Sequence, residues 1–111
     1  MQKSTAVSAL AALIALMALL VMHGNANAAD AQVKIANFTF EPAVLTVKVG
    51  TTVTWVNDDD IPHLVSEKDG KFRSSALDTG DKFSQTFSAA GTVEYFCAIH
   101  PHMTGKIVVE P

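Results

Sequence analysis

The chain has 111 residues, 8 basic against 11 acidic side chains and a formal net charge of −3. Mild acidity argues against a nucleic-acid partner, and the length leaves room for one small domain rather than two. Cys97 is the only cysteine, so no intramolecular disulfide forms.

The first element reads as an export signal over residues 1–28. Lys3 gives a basic start, residues 6–22 an apolar run, and His23-Gly24-Asn25 a polar break. Ala26 and Ala28 supply the small residues of a cleavage site, so cutting is expected after Ala28, with Ala29 as the neighbouring alternative. The apolar run falls short of the roughly 20 residues that span a bilayer comfortably, which favours a cleaved signal over an anchor. The expected mature domain is 29–111, periplasmic and free of the membrane. A domain this small gains from a staple, and a lone thiol in an oxidising compartment needs something to occupy it. A metal ion meets both needs.

Beyond Gln32 the pattern has a period of two. Val33 and Ile35 share one face; Leu45, Val47 and Val49 share another, with Lys34, Thr46 and Lys48 opposite. Pro42, Gly50-Thr51 and Ala90-Gly91 punctuate the runs, and Val53 and Trp55 belong to a strand ending near Asn57. Phe83 and Phe87 share a face, as do Val93, Tyr95 and Cys97, and Ile107 and Val109 close the chain. Residues 66–81 are polar and predict a long connection with at most one short strand. No helical period is sustained after residue 28. The fold class is therefore all-β, an antiparallel sandwich or barrel.

The chemistry concentrates at Cys97-Ala98-Ile99-His100-Pro101-His102-Met103, where thiol, imidazole and thioether recur at the spacing C-x-x-H-x-x-M. A tight loop after a strand returns all three to one point. Soft sulfur with imidazole selects copper, and a His2Cys plane with a weak axial Met is the geometry of one-electron copper sites. Such a site needs a second imidazole at the same end of the fold. His23 falls in the signal and His102 lies between two loop ligands, which leaves His63, next to Pro62 and beyond the Asp58-Asp59-Asp60 turn. The candidate metal ligands are thus His63, Cys97, His100 and Met103, around one copper ion. Singly each residue has an ordinary reading, as buried filler or as a loop histidine; their joint spacing reverses it.

These residues, with Phe38-x-Phe40-x-Pro42, Gly50-Thr51-x-Val53-Thr54-Trp55-x-Asn57 and Phe87-x-x-Ala90-Gly91-Thr92, give the chain a resemblance to the cupredoxins. It is similar to the plastocyanin and azurin superfamily, and within it to the amicyanin and pseudoazurin types. The resemblance implies a Greek-key β-sandwich of about seven to eight short strands and a blue copper carrier of single electrons. It implies that Asn57 ties the two ligand loops together beside the thiolate, and that the His100 edge is the electron port in an apolar patch bordered by Ile99, Pro101 and His102. In relatives with this short loop the histidine matching His100 can leave the reduced metal when protonated, so the resemblance implies a pH switch on electron donation at mildly acid pH. The expected partners are redox proteins, such as a c-type cytochrome or a periplasmic dehydrogenase or reductase, met by a monomer. The segment between His63 and Cys97 is shorter than in amicyanin, and the mature amino terminus lacks room for an extra leading strand.

Two rivals stand beside this reading. Copper storage, delivery or resistance favours Met-rich or His-rich clusters, yet Met103 is the only methionine after residue 28. A zinc or cysteine hydrolase needs an open coordination position or a placed general base, and neither is evident, so no enzyme is expected. The acidic turn at Asp58–Asp60 reads as solvated, with steering of a basic partner as its functional alternative. His102 reads as an exposed rim residue, with a docking or copper-loading role as the alternative.

Overall fold

The structure is a computed structural model that describes residues 29–111; the expected signal segment lies outside the described residues. Eight strands follow one another: β1 (Asp30–Ala36), β2 (Thr39–Glu41), β3 (Val44–Lys48), β4 (Thr52–Asn57), β5 (Ser66–Glu67), β6 (Lys82–Thr86), β7 (Gly91–Phe96) and β8 (Thr104–Glu110). They form two four-stranded sheets, ordered β2-β1-β4-β6 and β3-β8-β7-β5. Among the described residues no helix is long and apolar enough to cross a membrane.

Alternation decides which side chains turn inward. Val33 and Ile35 of β1, Val53 and Trp55 of β4, Tyr95 of β7 and Ile107 and Val109 of β8 are all buried. Each large apolar side chain so removed from water contributes about 1.5–3 kcal/mol. Trp55 lies at the centre, with the rings of Phe83, Tyr95, Phe72 and Phe87 at centroid distances from 5.2 to 6.5 Å. Val49 departs from the expected inward face: β3 ends at Lys48, the chain turns, and Val49 is exposed while Leu45 is only half buried.

Pairing direction also departs from a purely antiparallel sandwich. β1 runs parallel to β4, and β3 parallel to β8. The chain crosses between sheets after β2, so strands distant in sequence close each sheet in the same sense. Alternation reports faces and is silent on direction.

The polar stretch 66–81 carries one short strand, β5, within the limit expected, and is better buried than its composition suggests. Leu77, Ser74 and Glu67 are buried. The Glu67 carboxylate accepts the N–H groups of Asp69 and Lys71, closing the turn that follows β5.

The β1–β2 turn, the connection after β4 and the loop after β7 are drawn together at one pole. Asp58 N–H donates to Ile35 O at the end of β1, and Leu64 N–H reaches the Cys97 sulfur.

Candidate metal centre

Cys97 follows β7 directly, and its loop is closed by its own backbone. His100 N–H donates to Cys97 O at 3.1 Å, Met103 N–H to His100 O at 2.9 Å, and Cys97 N–H to Met103 O at 3.0 Å. Each three-residue step of C-x-x-H-x-x-M is thus one tight turn, which is the physical content of that spacing. Cys97 and Met103 are buried, His100 half buried, and Ile99, Pro101 and His102 exposed around it.

His63 arrives from the other sheet's side. It exchanges both backbone hydrogen bonds with Leu77, at 3.1 and 2.8 Å, and is fully buried. Its Nδ1 lies 3.6 Å from Cys97 Sγ, and His100 Nδ1 lies 3.7 Å from the same sulfur. The three donor atoms fall within 4.8 Å of one another. The structure therefore brings His63, Cys97 and His100 to one focus, and the loop's backbone carries Met103 beside them.

Two contacts prepare these donors. Leu64 N–H donates to Cys97 Sγ at 3.4 Å, which favours a sulfur bearing negative charge. The Asp59 carboxylate sits 2.8 Å from His63 Nε2 and also accepts the N–H groups of Asn37 at 2.6 Å and Phe38 at 3.0 Å. Burial pushes the Asp59 carboxyl up, but the hydrogen bonds from Phe38, His63 and Asn37 outweigh it and hold it below the ordinary carboxylate range. An ionised carboxylate only accepts, so His63 donates from Nε2 and turns Nδ1 toward the sulfur. Sequence reasoning read Asp59 as part of a solvated turn. Its role depends on the β1–β2 turn arriving from far upstream, and the available signal was the four-residue spacing from Asp59 to His63.

Asn57 is corrected in part. Its side-chain N–H donates to Ile61 O at 2.9 Å and Leu77 O at 2.8 Å, and its oxygen accepts Asp59 N–H at 3.0 Å. Asn57 braces the loop that carries His63 and the strand-like segment opposite; the bond between the two ligand loops is made by Leu64 N–H instead. A backbone donor has no residue-type signature, which is why the sequence did not reveal it.

One thiol and two imidazole nitrogens, with no carboxylate at the focus among the described residues, suit a soft or borderline metal, and copper fits this set. Fold and focus together define a mononuclear metal-binding β-sandwich. The Cupredoxin-like domain model matches residues 9–109, and the chain belongs to the cupredoxin family.

Its relatives agree. The chain is 38% identical over 90 residues to amicyanin-alpha of Methylorubrum extorquens, covering 77% of this chain and 76% of that one. It is 43% identical over 83 residues to amicyanin of Paracoccus denitrificans, covering 70% and 63% respectively. Among solved structures, a purple cupredoxin from Nitrosopumilus maritimus superposes with TM-score 0.67 at 38% identity, over 73% of this chain and all (100%) of the other. An amicyanin methionine variant in its Cu(I) form gives TM-score 0.70 at 38% identity, over 73% and 82%. A copper-containing nitrite reductase from Thermus scotoductus also matches, with TM-score 0.69 at 32% identity, but this chain covers only 22% of it.

Proposed function

We propose that the chain is a blue copper protein, a mobile carrier of single electrons between redox proteins, exported by residues 1–28 and working in the periplasm. The observation that carries this reading is the convergence of His63 Nδ1, Cys97 Sγ and His100 Nδ1 within 4.8 Å at one pole of the sandwich. Those three would hold one copper ion, with the Met103 thioether as a further, weaker donor. Copper held so supplies a one-electron couple.

The chain's own residues supply the rest. Backbone bonds fix the Cys97 loop and the His63–Leu77 pairing, which limits rearrangement of the backbone around the donors as charge changes. Asp59 orients His63, and Leu64 N–H stabilises charge on the sulfur. His100 is half buried amid exposed Phe38, Ile99 and Pro101, an apolar rim through which a partner approaches the imidazole edge without entering the protein. The likeness to amicyanins supports a protein partner such as a c-type cytochrome or a periplasmic dehydrogenase, met by a monomer. No nucleic-acid partner and no enzymatic turnover are proposed.

The test is the visible spectrum of the purified protein with Cu(II). An intense thiolate-to-copper band that vanishes in Cys97→Ser, together with rapid reversible electron exchange with a c-type cytochrome, supports the reading. A protein equally coloured without that sulfur refutes it.

A further inference from the structure

The turn joining β1 to β2 is built against its residue type. Ala36 pairs with Thr39, so the connection is Asn37-Phe38, and both residues have positive φ, 53° and 57°. A two-residue hairpin of this kind is a type I′ turn, whose second position favours glycine. Asparagine tolerates the left-handed region, whereas phenylalanine there is strained. Core filling does not explain it, because Phe38 is 50% exposed.

Asp59 holds the strained turn, its two carboxylate oxygens accepting the N–H groups of Asn37 and Phe38. The turn in turn sets the ring. Phe38 meets the His63 ring at a centroid distance of 5.5 Å and the His100 ring at 5.1 Å, nearly perpendicular to both at 88° and 84°. His63 sits on a loop at the pole and is nonetheless 0% exposed.

We propose that Phe38 is a fixed aromatic cover over both imidazoles, kept in place by Asp59, that slows the loss of the metal ion from this centre. The inference rests on the copper reading above. Metal leaves when an imidazole swings away and water or a competing ligand takes its place. A perpendicular ring against both imidazoles opposes the swing and occupies the approach. The strain at Phe38 is thereby explained as the cost of placing a large apolar group where a hairpin ordinarily carries glycine.

Phe38→Gly tests this cleanly, because it removes the ring and relieves the backbone at once. The expected result is an apoprotein whose denaturation midpoint is unchanged or higher. Release of Cu(II) to excess EDTA should be about tenfold faster than in the wild type, equivalent to about 1.36 kcal/mol of barrier. Phe38→Asn, which also tolerates the turn, should behave alike. Asp59→Ala should accelerate release by a smaller factor in the Phe38→Gly background than in the wild type; equal factors overturn the link from Asp59 to the ring. Unchanged release in both Phe38 variants, with one copper still bound per chain, overturns the cover while leaving the metal reading standing. A wild-type chain that binds no copper overturns both.

Discussion

The backbone N–H of Leu64 donates to the sulfur of Cys97 at 3.4 Å, across 33 residues of chain. This bond ties the loop that carries His63 to the loop that carries Cys97 and acts on the sulfur on which the proposed redox chemistry depends. It favours charge localised on sulfur, weakening donation to an oxidised metal more than to a reduced one. Removing it with Leu64→Pro should therefore lower the reduction potential. A differential loss of about 1.4 kcal/mol corresponds to ~59 mV for a one-electron couple. Potentiometric titration checks this, and a potential that holds or rises contradicts it.

His63 follows β4 of one sheet, whereas Cys97 and His100 follow β7 of the other. A metal bound to all three joins the sheets and binds the folded chain alone. At free metal a thousandfold above Kd, such linkage adds about 4.1 kcal/mol to unfolding. Urea denaturation with copper and with chelator should differ by roughly that amount. His63→Ala should abolish most of the difference, since the remaining donors lie in one loop.

Gly105 faces Tyr95 across the β7–β8 ladder. A Cβ at Gly105 would collide with Cζ and Oη of the tyrosine and stand 2.8 Å from its Cε2. Gly105→Ala forces the ring to move inside a packed core, at a cost of about 1–3 kcal/mol. The readout is the chemical denaturation midpoint. An alanine tolerated without loss would mean that the ring has room to shift.

Tyr95 also predicts an alkaline limb of stability. Its hydroxyl finds no hydrogen-bond partner in good geometry among the described residues, and burial, outweighing the lowering influence of the Trp55 side chain, pushes the phenol up to about 12 from 10.0. Below the unfolded value both states keep the proton and no effect appears. Between that value and the folded one the unfolded chain has lost its proton and the folded chain has not, so stability falls as pH rises. The slope approaches about 1.4 kcal/mol per pH unit. Tyr95→Phe should flatten this limb and leave stability at neutral pH equal or higher. Equal slopes in both proteins would assign the effect elsewhere.

Much of the centre was legible because its ligands are chemically distinctive and its loop repeats one turn length. Cys97 and His100 converge as their spacing implies, and His63, picked out by elimination among four histidines, joins them. The strands were legible through faces, since Val33, Ile35, Val53 and Trp55 bury as alternation requires. Parallel pairing of β1 with β4 was not, because direction leaves no mark on alternation. The work of Asp59 was hidden for a different reason. Its partners Asn37 and Phe38 lie 22 and 21 residues away, and only the folded sheet brings them within reach. Phe38 appeared within a family pattern, yet its strained backbone and its place over two imidazoles are properties of the turn.

The sheets end unevenly. One finishes on β2, of three residues, the other on β5, of two. The opposite borders, β6 and β3, have five residues each and place Lys82 and Lys48 near their ends. Brief or cationic margins give a neighbouring molecule little to zip onto. For the carrier proposed above, which would have to meet partners and leave them again, such margins would hinder sticking to copies of itself.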